Sequence, residues 1–399
     1  MKIAIYHNLP SGGAKRALFE FARRLSGRHQ LDVFTLTSAN HVFADVRPFV
    51  NQHRIYPYQT GRLFRSPFGR LNQLVRIRDL ARIEQITRQI ARDIDEGGYD
   101  VAFVHPCLVE NSPSVLHFLQ KTPSAFYCQE PLRLLYEEMP PRPYDGQESR
   151  LRQIANRLDP LPTLYRQALK RRDARNLRAA KVVLVNSDFI RRSVGRIYQV
   201  EARVSRLGVD AQLFRPTGGA RQPFVLSVGS LTPLKGFDFL IRALGCIPAE
   251  RRPPLTIASN FQNPPEREYL TALALHLGVQ LILLDGISDE RLVDLYNQAA
   301  LTVYAPIREP FGFVAIESMA CGTPVVAVSE GGVRETVLDG QVGLLTSRSE
   351  EEFARAVLRL LDCPELAAEY GKNARTYAAS QWSWERAVDM LEEHLQAIV

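Results

Sequence analysis

The sequence predicts an α/β protein of two doubly wound domains, each a parallel sheet with helices on both faces. Three observations predict it. Apolar runs of strand length alternate with amphipathic helical stretches along the whole chain, and they fall into two sets. Between the sets, Pro216-Thr-Gly-Gly-Ala-Arg-Gln-Pro223 has the composition of a linker. Charge divides at the same place: residues 1–216 hold 35 Lys and Arg against 20 Asp and Glu, and the remainder 15 against 23. A basic half joined to an acidic half suggests two bodies with different partners.

The first set of strand candidates is Lys2–Tyr6, Leu31–Leu36, Asp100–His105, Ser124–Cys128 and Val182–Asn186. The second is Pro223–Val228, Leu255–Ala258, Leu281–Leu284, Leu301–Tyr304 and Pro324–Val328. Continuous Val, Ile and Leu runs, rather than alternation, mark strands buried on both faces. The expected domains are residues 1–216 and 217–383. A helix opens at Ala14 and runs to Leu25, and a last one begins at about Trp384. Pro140-Pro-Arg-Pro-Tyr-Asp-Gly146 is proline-rich and is read as a surface connection in preference to a mobile functional loop.

Composition is that of a soluble globular protein, 45% hydrophobic and 23% charged. No apolar run approaches the ~20 residues needed to span a bilayer, so a cytoplasmic location is expected. The five cysteines, Cys107, Cys128, Cys246, Cys321 and Cys363, are scattered without a C-x-x-C pair, so neither a zinc site nor a disulfide framework is indicated. Asp93-Ile-Asp95 sits at a helix end without a strand before it and reads as solvated surface, not a metal motif. No metal and no resident cofactor are expected.

The most informative stretch is Arg308-Glu-Pro-Phe-Gly-Phe-Val-Ala-Ile-Glu-Ser-Met-Ala-Cys-Gly-Thr-Pro-Val-Val-Ala327. It reads as a loop, a helix, a tight turn and a buried strand. Pro310 suits the beginning of a helix, and Gly322-Thr-Pro324 stops it. At ~100° per residue Phe313, Ile316, Glu317 and Ala320 share one arc, which places the Glu317 carboxylate on an apolar face. A buried carboxylate needs donors. Glu309 precedes the helix, near its positive end, where free amides bind anions or hydroxyls. Ribose hydroxyls at Glu317 and a sugar diphosphate at the helix start beside Glu309 satisfy this pattern. So do a capping carboxylate and an internal salt bridge to an arginine.

This segment, continuing through Ser329-Glu-Gly-Gly-Val-Arg-Glu-Thr-Val-Leu-Asp-Gly-Gln-Val-Gly-Leu344, closely resembles the paired-glutamate motif of the family 4 retaining glycosyltransferases. The resemblance implies the GT-B fold, two Rossmann-like domains with a deep cleft between them, able to close over the donor. It also implies transfer of mannose or another hexose from a nucleoside diphosphate sugar to an acceptor hydroxyl with retained configuration, in glycan or glycolipid synthesis. The donor would lie on the 217–383 domain. The acceptor would lie on the 1–216 domain, against which residues 384–399 pack back. A nucleotide-sugar epimerase or hydrolase on the same fold, and a non-catalytic sugar-nucleotide-binding partner protein, are the alternatives.

The resemblance extends to other loops. Gly12-Gly13 follows the first strand, fits neither a dinucleotide fingerprint nor a P-loop, and would lie near the diphosphate or the acceptor. In Val228-Gly-Ser-Leu-Thr-Pro-Leu-Lys-Gly-Phe237, Lys235 matches the family's diphosphate lysine, whereas Ser230 stands where an arginine is expected. Arg308 and Arg334 are candidates to replace that arginine. Gly286 and Ile287 match the turn whose backbone recognises the nucleobase. Phe311, Gly312 and Phe313 would line the donor at the helix start, and His105, at a strand's carboxyl end, would face the transferring sugar. Glu130 and Arg133 are either substrate contacts or a structural ion pair. Lys235, Glu309 and His105 are the expected catalytic residues.

Finally, eight arginines and two acids between Arg62 and Arg92 are interleaved with Leu63, Phe64, Phe68, Leu71, Leu74, Val75 and Ile77, and thirteen basic residues stand against three acids from Arg150 to Arg196. This suits either an anionic membrane surface carrying a glycan or lipid-linked acceptor, with the enzyme peripheral on the inner face, or ordinary core helices with solvated arginines. Nucleic acid is not expected, because no recognition motif accompanies the charge.

Overall fold

The computed structural model describes residues 1–61, 72–145, 160–261 and 263–399. They form two units. The first holds the described residues of 1–138, 148–206 and 387–399, the second those of 139–147 and 207–386.

In the first unit the strands are β1 (Lys2–Asn8), β2 (Gln30–Leu36), β3 (Gln52–Tyr56), β4 (Val101–Cys107), β5 (Ser124–Cys128), β6 (Val182–Val185) and β7 (Ala202–Val204). All pair in parallel, in the order β3-β2-β1-β4-β5-β6-β7. The interior strands are buried along nearly their whole length, which is why their apolar runs are unbroken. Helices α1 (Gly13–Leu25), α2 (Asn72–Glu96), α3 (Leu161–Ala179) and α4 (Asp188–Tyr198) accompany the sheet. Helix α4 starts at Ser187, whose hydroxyl accepts from the Ile190 amide, and ends at Gln199 in the left-handed region.

The second unit repeats the plan. Its strands are β8 (Gln222–Val228), β9 (Leu255–Ser259), β10 (Leu281–Asp285), β11 (Ala299–Tyr304), β12 (Val325–Val328) and β13 (Gly343–Thr346), in the parallel order β10-β9-β8-β11-β12-β13. The longer helices are α5 (Phe237–Gly245), α6 (Pro264–His276), α7 (Asp289–Gln298), α8 (Phe313–Ala320), α9 (Glu350–Leu361) and α10 (Pro364–Gln381), followed by α11 (Trp384–Gln396). Each unit has its own core, one around Tyr6, Phe34, Val104 and Phe126, the other around Leu240, Ile257, Val303 and Phe353. In both sheets the strand order reverses direction beside the first strand, at β1/β4 and at β8/β11. In open parallel sheets ligands bind at the carboxyl ends of the strands flanking such a point.

The structure departs from the sequence reading in several places. The second unit begins at Leu207, before the linker-like stretch. Leu207, Val209 and Phe214 are buried, and the Val209 amide donates to the Trp382 carbonyl at 2.7 Å, so this segment is sealed into the second unit. Residues 218–223 are exposed and form a surface approach to β8. Helix α11 begins in the second unit and joins the first from Ala387 onward, where Glu392 engages Arg28 and His29. The Glu309 helix begins at Phe313, so Pro310 precedes it by a loop. Asp93 and Asp95 are not merely solvated: Asp93 accepts from the Tyr56 hydroxyl, and Asp95 accepts from the amides of Gln120, Lys121 and Thr122. Arg62–Leu71 and Arg150–Asp159 of the basic stretches lie outside the described residues. Leu74 and Ile77 are exposed, at 50% and 36%, while Val75 is buried.

Candidate active site

In the second unit the loops after β8 and β11 converge. The loop after β8 runs through Gly229 and Ser230 into a tight turn, Pro233–Lys235, and the Lys235 Nζ donates to both Glu309 oxygens at 2.9 Å. Both side chains are about a fifth exposed, enough to meet a ligand. The two loops are fixed to each other by backbone. Gly236 has a φ of +65°, and a Cβ there would lie 2.1 Å from the Ala305 carbonyl oxygen, so only glycine permits the approach. The Ile307 amide donates to the Leu234 carbonyl at 2.8 Å.

The Glu309 loop rests in turn on Ser329-Glu-Gly-Gly332. A Cβ on Gly331 would fall 2.3 Å from the Glu309 carbonyl oxygen, and the Gly332 amide donates to that oxygen at 2.8 Å. Glu330 is held by the Arg348 guanidinium at 2.8 Å through both oxygens, which keeps its carboxyl below the usual range against the opposing pull of burial. Arg348 also donates to the carbonyls of Ala305 and Pro306 at 3.1 Å. The glycine pair after the motif is thus the seat of the Glu309 loop.

Helix α8 begins at Phe313, three residues beyond Pro310, and its N-cap Gly312 supplies no side-chain cap. Glu317, one turn inside, is 7% exposed and accepts from the Tyr296 hydroxyl at 3.0 Å. Burial raises the Tyr296 hydroxyl far above its ordinary range, followed by the neighbouring Glu317 charge, so Tyr296 acts as a donor. Phe311 is buried against Phe313 and Trp382, at ring-centroid distances of 5.3 and 5.4 Å, and is a support for the loop rather than an open lining residue. Gly286 follows β10 with open space where a Cβ would be. Ile287 is half-buried beside it. Arg308 and Arg334 are both exposed, and Arg308 has a φ of +49°.

In the first unit Gly12 and Gly13 are exposed after β1 and open α1 without a side-chain cap. His105, on β4, is fully buried; its ring stacks on Tyr127 at 5.7 Å, and among the described residues neither ring nitrogen has a hydrogen-bond partner. Burial, then the nearby Lys15 charge, pushes its pKa down to about 3, so it is a neutral imidazole. Sequence reasoning missed its neighbours. Lys15 is 1% exposed, with its Nζ 3.2 Å from His7 Nε2, and burial lowers it to about 8. His7 is held neutral by burial and then by Lys15. His53 Nε2 is also buried without a partner among the described residues. A signal for Lys15 existed: it shares the apolar stripe of α1 with Leu18, Ala22 and Leu25. Glu130 and Arg133 form an ion pair at 2.8 Å. Among the described residues no group of three or more His, Cys, Asp or Glu is placed to hold a metal ion, and no helix is long and apolar enough to cross a membrane.

Residues 211–377 match the family model described as glycosyl transferases group 1. D-inositol 3-phosphate glycosyltransferase 2 of Catenulispora acidiphila is 35% identical over 229 residues, 52% of this chain and 53% of that protein. The GDP-mannose-dependent alpha-(1-6)-phosphatidylinositol monomannoside mannosyltransferase of Mycolicibacterium smegmatis is 33% identical over 51% of this chain and 59% of its own length. The chain spans about half the length of the curated relatives it matches. Among solved structures, sucrose-phosphate synthase from Thermosynechococcus elongatus superposes with a TM-score of 0.75 at 22% identity, over 100% of this chain and 99% of the other. HepE of Anabaena, solved in complex with UDP and glucose, gives 0.68 at 19% identity with full coverage of both chains. The fold is therefore the two-domain α/β GT-B fold, and its second unit carries a glycosyl transferases group 1 region.

Proposed function

We propose that this chain is a retaining glycosyltransferase of family 4 that moves mannose or another hexose from a nucleoside diphosphate sugar to an acceptor hydroxyl. One observation carries the reading. At the β8/β11 strand edge a half-buried lysine and a glutamate, Lys235 and Glu309, are held together at 2.9 Å beside the uncapped start of α8. The names of the relatives, which include glycosyl transfer to inositol 3-phosphate and mannosyl transfer from GDP-mannose, support sugar transfer, and the UDP complex of HepE supports a nucleotide donor.

In this mechanism the bond from the sugar's anomeric carbon to the diphosphate breaks as the acceptor oxygen bonds to that carbon. The leaving diphosphate gains negative charge and takes the acceptor proton. Lys235 and the first amides of α8 stabilise that charge. Glu309 holds Lys235 in place before the donor arrives and then orients sugar hydroxyls. Glu317 takes the ribose hydroxyls, and the backbone at Gly286 and Ile287 reads the base. Gly12 and Gly13, exposed after β1, line the acceptor side, and His105 is a neutral imidazole buried on β4 rather than an open lining residue. No metal or resident cofactor is required in this scheme.

The acceptor is proposed to be a glycan or a lipid-linked sugar. The first unit has an apolar cavity of about 480 Å³ whose lining includes Leu108, Leu132, Leu134, Leu135 and Leu169, with Arg76 and Arg166 among its polar members. Leu108 and Leu134 are each 58% exposed. An apolar cavity carrying arginines supports docking at the inner, anionic membrane face, where a lipid chain and a phosphate headgroup would both be satisfied.

The test is incubation with GDP-mannose and UDP-glucose in the presence of membrane-lipid extracts, with the product's anomeric proton followed by NMR. An α-linked product from the α-linked donor is expected. An inverted product would refute retention. Donor turnover without any acceptor would favour an epimerase or hydrolase.

A further inference from the structure

The proline-rich segment after Glu138 is more than a surface connection. Residues 139–145 belong to the second unit, although the described residues before and after them in the sequence belong to the first. At its centre the Arg142 side chain is only 5% exposed. Its Nε donates to the Glu266 oxygens at 3.2 and 3.0 Å, and its Nη2 donates to Glu266 at 3.0 Å. The two Nη atoms donate to the Asp238 oxygens at 3.2 and 3.0 Å, and Nη2 also donates to the Pro233 carbonyl at 3.3 Å. The guanidinium lies over the Tyr269 ring, 5.3 Å from its centroid. Glu266 is fully buried and accepts in addition from the Tyr144 hydroxyl. Locally, the Arg142 amide donates to Asp145 at 2.7 Å and the Asp145 amide returns to the Arg142 carbonyl at 2.9 Å, which presents the side chain in one direction.

Such a network is costly to bury and is weak evidence for stability as such. Its placement is more telling. Pro233 begins the turn that carries Lys235, and Asp238 lies in the first turn of α5 just beyond it. Arg142 therefore holds the Pro233 carbonyl on one side of Lys235 in the sequence and the Asp238 carboxylate on the other. The same turn also meets Ala305 at Gly236 and accepts from the Ile307 amide at Leu234. An arginine fork can hold two carboxylates and a carbonyl at fixed angles, which a lysine cannot do.

We propose that Arg142 is a positioning residue for the donor site: with Asp238 and Glu266 it fixes the 233–238 turn so that Lys235 meets Glu309 and the donor diphosphate. The diphosphate part rests on the function proposed above; the placement of Lys235 does not.

The test uses the full chain. Arg142→Gln alone leaves the buried Glu266 carboxylate without its cation and endangers folding. The double variant Arg142→Gln/Glu266→Gln replaces the ion pair by an amide pair of similar shape. Two readouts are taken. Calorimetry compares GDP and UDP with GMP and UMP. Mass spectrometry follows acylation of the Lys235 amine by a water-soluble active ester. The double variant is expected to lose about tenfold in diphosphate affinity with monophosphate affinity nearly unchanged, a difference of about 1.4 kcal/mol. In a Lys235→Met background the same change should have little further effect, because the two residues act through one interaction. Lys235 should be acylated several-fold faster. An unchanged ratio of diphosphate to monophosphate affinity, or an equal loss in the Lys235→Met background, would overturn the proposal and leave Arg142 a structural residue. If the wild type binds no nucleoside diphosphate, the donor reading fails, and the acylation rate alone decides on Arg142: a faster rate sustains it and an unchanged rate overturns it.

Discussion

The two switch points of this molecule handle charge in opposite ways. At β8/β11, ionised side chains are partly exposed and matched: Lys235 with Glu309, Arg348 with Glu330. At β1/β4, ionisable side chains are buried and unmatched. Lys15 has a histidine for its hydrogen-bond partner, and His105 has none among the described residues. Asp45, the acid that interacts with Lys15, is engaged by Arg47 at 2.8 Å. The comparison teaches that a matched site is pre-organised to receive a charged ligand in place. An unmatched site is kept out of water at a cost in stability that a ligand group can relieve.

The comparison can be broken first at Glu309. Glu309→Ala should lower turnover about a hundredfold, with a smaller loss of nucleoside diphosphate affinity, because its oxygens hold Lys235 and are proposed to orient the sugar. Steady-state kinetics with the donor in excess checks this. A change confined to KM would remove Glu309 from the chemistry.

The unmatched site gives stability predictions. Lys15 titrates in the folded state at about 8, below its ordinary value of 10.5. Between these values the unfolded chain binds more protons, so stability rises with pH across that window. Lys15→Met should therefore be more stable than the wild type at pH 7, and its advantage should shrink as pH rises from about 8 toward 10.5. Urea unfolding at several pH values measures both. His105 titrates at about 3 in the folded state, and His7 is also lowered. The unfolded chain then binds the extra protons below the ordinary value of 6.5, so this contribution to stability is lost as pH falls from 6.5 toward 3. His105→Phe should flatten part of that acid limb in thermal melts.

These contrasts bear on what was legible in the sequence. Interior strands were readable because burial on both faces leaves continuous apolar runs, as in β4 and β12. The edge strands β3, β7 and β13 were not: β3 reads Gln-His-Arg-Ile-Tyr and is largely exposed, and β7 has three residues. Lys235 and Glu309 stood out as candidates because each lies in a loop after a strand, and Glu317 because it interrupts an apolar helix face; the structure pairs the first two and buries the third. Lys15 and His7 were not, because β1, α1 and β4 must fold together before their environment exists. Arg142 was hidden for a plainer reason. Its prolines announce a loop, while its partner Glu266 lies 124 positions away.

The smallest expected effect concerns chelation. Excess EDTA should leave turnover unchanged, since Lys235 and the α8 amides are proposed to carry the leaving charge. Loss of activity restored by magnesium or manganese would refute that scheme.

The most direct test of the donor site is calorimetric titration of GDP and UDP into the wild type and Glu317→Ala. Glu317 sits inside α8 at 7% exposure with the Tyr296 hydroxyl as a donor, and it is proposed to take the ribose hydroxyls. At least one diphosphate should bind the wild type, and Glu317→Ala should weaken it at least about tenfold, as expected for lost hydrogen bonds to a charged group. Equal affinity of the two proteins for every nucleoside diphosphate would contradict the account.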